Sequence, residues 1–378
     1  MYRPSPPDYR GPAAYMEKLR IYIDLGHPAH AHALRFFIKE MKRRGHRLLI
    51  TARDKDITFC LLRAWGIEFT GRGRGISPAG GWFRKMVPAV LREGVLLGGK
   101  FLNLVTTTMR LYPRVKKFKP DLVLSWCSYH AALIGRLLGK PVITFEDTEN
   151  VPFLHTINRL LSTSMVTPAC FEKKLGNRHI RFNGYKELAS LHPGRFEPDP
   201  LPRSMSGPYI VLRFVSWQAY HDRGHKGISP EMKILIVKRL SRFTRVYISS
   251  EIPLPPELMP YRLPVSCEMG HQVLNKARLF FGESASMAAE AAVLGVPSIY
   301  IDNTGRGYTR ELEKYGLLFN FGEEDDSVQK ALDKAVGLLG NHHLDTEWKE
   351  KQKTMLEGKE DVTSWMVRLA ESSCSDTG

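Results

Sequence analysis

Residues 280–301 read FFGESASMAAEAAVLGVPSIYI, and two glutamates, Glu283 and Glu290, stand in a run otherwise almost wholly apolar or small. The apolar start breaks at Gly282, small residues run on to Leu294, and Gly295 to Pro297 separate them from a second apolar stretch. That order predicts a strand, a tight turn, a helix over Met287–Leu294 and a second strand, the repeating unit of a parallel sheet. Gly282 permits the turn, while Ser284, Ala285 and Ser286 bring hydroxyls and backbone donors to the helix start. Such a start carries unsatisfied N–H groups and about half a positive charge, which suits a phosphate. Glu290, one turn further on, is placed to accept hydrogen bonds from both hydroxyls of a ribose. The stretch therefore reads as a nucleotide-diphosphate site. The bland alternative is that the small residues serve close helix–sheet packing and that Glu290 is a solvated or capping acid.

The same rhythm extends in both directions. "LRIYIDL" (19–25) alternates and then breaks at Gly26 and Pro28, and Leu34, Phe37, Ile38 and Met41 recur at helical spacing up to Gly45. "RLLIT" (47–51), a helix over Ile57–Trp65 and a short strand Ile67–Phe69 follow. After a basic stretch come "DLVLSW" (121–126), "PVITF" (141–145) and "MVTPA" (165–169), with helices around Ala131–Leu138 and Leu154–Leu161 between them. Five prolines from Glu187 to Pro208 mark a linker, since each fixes φ and removes a donor. "YIVLRF" (209–214), a helix over Glu231–Leu240, "RVYIS" (245–249) and "ARLFF" (277–281) open a second series. The expectation is an α/β protein with two Rossmann-like, doubly wound parallel sheets facing a cleft lined by strand ends. Its divisions are an extension (1–15), a first domain (16–190), a linker (191–208), a second domain (209–345), and closing helices across the join with a tail (346–378).

At 378 residues, with 43% hydrophobic and 25% charged, the chain has the make-up of a soluble globular protein of two domains. The longest uncharged run, Leu122 to Gly135, is too short to span a bilayer. The first 15 residues read as a flexible extension, not a signal peptide, and Met16 is a plausible natural start. Cys60, Cys127, Cys170, Cys267 and Cys374 are scattered without a CxxC spacing, so no disulfide framework and no structural zinc site is expected, and a reducing, cytoplasmic setting fits. The formal charge of +16 calls for an anionic partner. Nine basic residues against one acid lie between Trp82 and Lys119, interleaved with apolar ones. That pattern suits peripheral contact with an anionic membrane through 82–119, or an ordinary surface helix pair.

Other constellations fall at strand ends. "GHPAHAH" sets His27, His30 and His32 after the first strand, where a neutral imidazole takes a proton from an acceptor hydroxyl or holds the acceptor; helix capping is the plain alternative. "FEDTEN" points Glu146, Asp147 and Glu149 toward the cleft as base, orienting group or acceptor ligand. Arg213, with Ser216 or His221, is placed to neutralise a diphosphate, while Trp217 and Tyr220 suit packing at the hinge. "EEDD" (323–326) precedes a helix and reads as capping acids, so no metal is assigned.

The order of "DLGHPAHAHALRFFIKEMKRRGHRLLITARD" (24–54), "FEDTENVPFLHTINRLL" (145–161), "YIVLRFVSWQAYHDRGHKG" (209–227) and "FFGESASMAAEAAVLGVP" (280–297) resembles a family of prokaryotic predicted glycosyltransferases, a domain of unknown function, of the GT-B fold. "EAAVLGVPSIYI" is similar to the donor segment of GT-B glycosyltransferases and of the related UDP-N-acetylglucosamine 2-epimerases. The resemblance runs from about Leu19 to Gly322 and is closer for fold than for substrate. It implies donor binding by Arg213, Ser216, His271, Gly282, Ser284, Ser286 and Glu290, with His271 near the base. Catalysis falls to His30, Glu146 and Asp147, and acceptor contact to His27, His32 and Glu149. His30 matches a histidine of the lipid-linked cell-wall N-acetylglucosamine transferase, and Glu146 an epimerase acid. Two further epimerase acids are missing, since "WCSYH" (126–130) and "HTINR" (155–159) stand in their places, which favours transfer.

The expected activity is metal-independent transfer of a sugar from a nucleotide diphosphate, a UDP-sugar, to a polysaccharide or lipid-linked acceptor of the cell envelope, at the inner face of the membrane and without a cofactor. The alternatives are a nucleotide-sugar 2-epimerase and a non-catalytic basic protein that binds membrane or nucleic acid. Nucleic acid is not the expected partner. Donor sugar, base, acceptor, anomeric outcome and oligomeric state are not legible.

Overall fold

The computed structural model describes residues 17–73, 89–215, 225–251 and 253–373. The expected extension, residues 82–88 of the basic stretch, and Ser216, Trp217, Tyr220 and His221 lie outside them. Seven strands form the first sheet: β1 (Arg20–Leu25), β2 (Arg47–Ala52), β3 (Thr70–Gly71), β4 (Leu122–Trp126), β5 (Val142–Phe145), β6 (Ser164–Pro168) and β7 (His179–Phe182). They run in the order β3-β2-β1-β4-β5-β6-β7 with every pair parallel.

Alternation along β1 explains the layers. Ile21, Ile23 and Leu25 pack with Leu34, Phe37 and Ile38 of α1 (Pro28–Arg43). Tyr22 faces the other way, with Leu111 and Val115 of α3 (Ala89–Phe118) and Ala131 and Ile134 of α4 (Tyr129–Leu137). A strand buried on both faces is what a doubly wound sheet requires. The intervening helix is α2 (Thr58–Ala64), and α5 (Pro152–Leu161) lies beside α4.

The second sheet contains β8 (Tyr209–Phe214), β9 (Arg245–Ser250), β10 (Leu279–Gly282), β11 (Ser298–Ile301) and β12 (Leu318–Phe321), ordered β12-β11-β10-β8-β9 and again all parallel. Helices α7 (Pro230–Leu240), α8 (Gly270–Lys276), α9 (Ala285–Val293), α10 (Gly307–Lys314) and α11 (Asp325–Leu339) connect or follow its strands. Gly282 pairs with Arg213 at the centre of this sheet. A Cβ there would lie 2.8 Å from the Arg213 nitrogen, so only glycine fits.

Between the sheets, α6 (Leu188–Leu191) is buried, so the proline-rich stretch begins with packed residues. At the C-terminus, α12 (Leu344–Leu356) stays on the second sheet, where Trp348 Nε1 donates to the Leu317 carbonyl at 3.3 Å. The last helix, α13 (Val362–Ser372), crosses back onto α1 and α6. There Arg44 meets Glu371 at 3.1 Å and Thr363 donates to the Ala189 carbonyl at 2.7 Å.

One expectation is overturned. Cys60, at α2, is disulfide-bonded to Cys267, in the turn before α8, and so ties the two halves together. The partners are 207 residues apart in sequence and meet only because α2 packs on that turn, a contact that no local spacing encodes. Cys127 and Cys170 are free thiols. Smaller differences are that β3 falls at Thr70–Gly71 and that β7 and β12 were not expected.

Candidate functional site

Parallel strands carry their following loops at one edge, and here the loops of the two sheets meet. Three contacts define the junction: Lys186 Nζ lies 3.3 Å from Ser286 Oγ, the Gly307 amide donates to Glu149 Oε1 at 3.1 Å, and the rings of His32 and His271 are 4.1 Å apart.

On the first-sheet side, His27 caps α1 by accepting the Ala29 amide at 3.2 Å. His30, on the next turn, is partly exposed, but its Nδ1 is buried and has no partner among the described residues. Burial, and then the charge of Lys186, holds its pKa down to about 3. His32 points elsewhere, edge-on to Trp65 at 5.0 Å and against His271. The three histidines therefore do not converge on one point.

The end of β5 is denser. Glu146 is fully buried; its Oε1 accepts the Cys127 thiol at 2.9 Å and the amides of Asp147 and Thr148 at 3.1 and 3.2 Å. Burial, with the adjacent Asp147 charge, pushes its carboxyl up to about 7. Asp147 accepts Trp126 Nε1 at 3.1 Å and Lys186 Nζ at 2.5 Å. Burial lifts its carboxyl, but Lys186 more than reverses that and holds it below the ordinary value. Glu187 lies 3.5 Å from the same ammonium, and burial pushes it up to about 7 despite that charge. Glu149 joins the halves through Gly307 and also accepts the Glu172 amide at 3.5 Å.

On the second-sheet side, Ser284 caps α9 by accepting the Met287 amide at 3.4 Å. Ser286 faces Lys186. Glu290, buried one turn into α9, places Oε1 3.3 Å from His271 Nε2. Glu283 plays a different part, for its carboxylate accepts the Val215 and Ile228 amides at 3.0 and 2.6 Å, one at each end of the loop after β8. Arg213 is held by Ser249 at 2.8 Å and Glu251 at 2.5 Å.

Sequence reasoning missed three members. Asp24 is fully buried at the end of β1, where it accepts Thr51 at 2.6 Å and Ser128 at 2.5 Å and pairs with Arg72 at 3.0 Å. A charge inside the apolar run "YIDL" was its signal. Lys186 and Glu187, in "GYKEL", gave none, because nothing local marks a lysine that will be buried. Cys127, Glu146 and Asp147 bring ligand-type atoms within 4.8 Å of one another, but Asp147 is already bound to Lys186.

No protein-family model and no curated protein matches the sequence. Solved structures do match in shape. The UDP-GlcNAc 2-epimerase from Neisseria meningitidis bound to UDP-GlcNAc superposes with a TM-score of 0.61 at 14% identity, covering 90% of this chain and 99% of that one. The co-structure of Staphylococcus aureus MnaA with UDP gives 0.61 at 13% identity over 87% and 90%. The calicheamicin glycosyltransferase CalG4 gives 0.60 at 14% identity over 96% and 100%. With two Rossmann-like parallel-sheet units meeting at their loop edges and these neighbours in shape, the chain has the GT-B fold.

Proposed function

We propose that this protein is a nucleotide-sugar glycosyltransferase that moves a sugar from a UDP-linked donor to a hydroxyl of a polysaccharide or lipid-linked acceptor. The observation that carries the reading is the junction itself, where Lys186, held by Asp147 in one half, meets Ser286 at the start of α9 in the other, with Glu146 next to Asp147 in the chain. The turn at Gly282, with Ser284 and Ser286, receives the diphosphate, and Glu290, beside His271, receives the ribose. Arg213 completes the donor side. That two of the solved structures of this shape hold UDP or UDP-GlcNAc supports the choice of base.

In the reaction, the acceptor oxygen attacks the anomeric carbon, the bond to the diphosphate oxygen breaks, and the acceptor proton passes to the enzyme. Glu146 suits that proton, since a carboxyl near 7 is half ionised at neutral pH. His30, held neutral, accepts a hydrogen bond from the acceptor. His27 and Glu149 frame the acceptor side, Glu149 from a position that also joins the halves. The ammonium and the helix start offset the leaving charge, so no metal is required and chelation leaves the rate unchanged.

The proposed location of the reaction is the inner membrane face. Among the described residues no helix is long and apolar enough to cross a membrane. Instead α3 exposes Leu102 (55%) and Met109 (69%) beside Arg110, Arg114, Lys116 and Lys117, and the adjoining α4 and α5 expose Leu137 and Leu160. Basic residues close to anionic lipid contribute about 1 kcal/mol each.

One observation favours a second reading, a 2-epimerase: Glu146 and Glu187 both titrate near 7, and two such carboxyls suit removal and return of a proton. Incubation with UDP-N-acetylglucosamine alone, followed by NMR, separates the two. Transfer leaves the donor unepimerised until an acceptor is added; a new 2-epimer without acceptor establishes epimerisation instead.

A further inference from the structure

We infer that Lys186 grips the diphosphate of the donor, with Asp147 holding the ammonium in place until the diphosphate arrives. The inference rests on the proposed donor site at α9 and names the group from the opposite half that completes it.

Lys186 follows β7, in the first half, yet its ammonium reaches the first turn of a helix in the second, 3.3 Å from Ser286 Oγ. Only 7% of the side chain is exposed. Burying an ammonium costs several kcal/mol, and a buried ion pair is often no more stabilising than apolar groups of the same size, so a buried lysine at a cleft calls for a use.

An ammonium has three N–H donors. One reaches Asp147 at 2.5 Å and one reaches Ser286, while Glu187 Oε1, 3.5 Å away, has no hydrogen-bond partner among the described residues and leaves the third donor open. At the same spot the Ala285 and Ser286 amides have no acceptor within their own helix. Ammonium, hydroxyl and amides thus converge on one point where a phosphate collects all of them. The charged and polar groups around it are Asp147, Glu187, Glu290 with His271, His30, and the Tyr308 ring at 5.8 Å. Asp147 is the acid in direct contact, so a diphosphate takes over its partner.

The arrangement also couples the two substrates. The Lys186 charge is one of the two main influences that hold His30 at a low pKa. A diphosphate that neutralises the ammonium makes His30 a better acceptor for a proton or hydrogen bond, and only when the donor is bound.

Calorimetric titration of the full chain with UDP and with uridine tests this. Wild type is expected to bind UDP more tightly than uridine. The double variant Lys186→Met/Asp147→Asn removes both charges together and is expected to weaken UDP about 10- to 100-fold, in the range of one or two charge-assisted hydrogen bonds, while uridine binding stays the same. Asp147→Asn alone frees the ammonium and is expected to raise the preference for UDP severalfold, which a structural lysine does not do. If the double variant keeps the wild-type preference, the inference is overturned while the donor site stands. Should the double variant not fold, the single one decides: absence of a UDP-selective gain overturns the inference. Wild type that binds neither ligand overturns the donor reading itself.

Discussion

Glu283 and Glu290 lie seven residues apart in one strand–turn–helix unit, and the structure gives them opposite roles that a pair of substitutions separates. Glu283 is buried and spans the base of the loop after β8, accepting the Val215 amide at 3.0 Å and the Ile228 amide at 2.6 Å. Glu283→Gln keeps the shape but replaces one oxygen by an NH2 that faces an N–H donor, and it removes the charge from the bond that remains. Losing one charge-assisted bond and leaving a buried donor unpaired costs about 3 kcal/mol. For a unit of this size each kcal/mol is about 2–4 °C, so the melting midpoint falls by roughly 6–12 °C. Glu290 instead faces His271 at the junction, and Glu290→Gln leaves the stability within about 1 kcal/mol of wild type. Thermal and urea unfolding of both variants checks this. Equal effects, or a Glu283→Gln loss below about 1 kcal/mol, refute the assignment of Glu283 as the loop's anchor.

Other perturbations have equally definite outcomes. The Glu146 carboxyl, lifted from 4.5 to about 7, favours the protonated native state, so its contribution is full below pH 4.5 and is lost as pH rises through 7. Glu146→Gln removes that dependence and gains roughly 3 kcal/mol on wild type between pH 4.5 and pH 8, read from urea unfolding at each pH. A reductant acting on the Cys60–Cys267 bond lowers the unfolding free energy by about 2–5 kcal/mol, while Cys60→Ser starts low and ignores the reductant. Sedimentation with vesicles containing anionic lipid retains the protein at low salt and releases it as salt rises, and Met109→Asp weakens retention. Equal retention on neutral vesicles counts against the membrane proposal.

Much of the fold was legible because a strand buried on both faces leaves an apolar run, as in "YIVLRF" and "DLVLSW". Glycine and proline then mark the loops. Strands at the sheet edges left weaker traces: β7 reads HIRF and β12 LFNF, each four residues with polar members facing partly to solvent. Half of the junction was visible too, because His30, Glu146 and Ser284 follow strands. The rest depends on contacts between residues far apart in the chain. Lys186 meets Ser286 across 100 positions, His32 stacks on His271, and Cys60 bonds to Cys267, and none of these leaves a local pattern. Glu283 and Glu290 looked alike in sequence because what separates them is the partner each carboxylate meets.

The central claim, a nucleotide diphosphate held at the start of α9 with its ribose on Glu290, is tested most directly by calorimetric titration of UDP into wild type and Glu290→Ala. Saturable binding at one site is predicted for wild type, with a loss of about 10-fold or more in the variant, from a removed pair of charge-assisted hydrogen bonds. Equal affinity in the two proteins contradicts it.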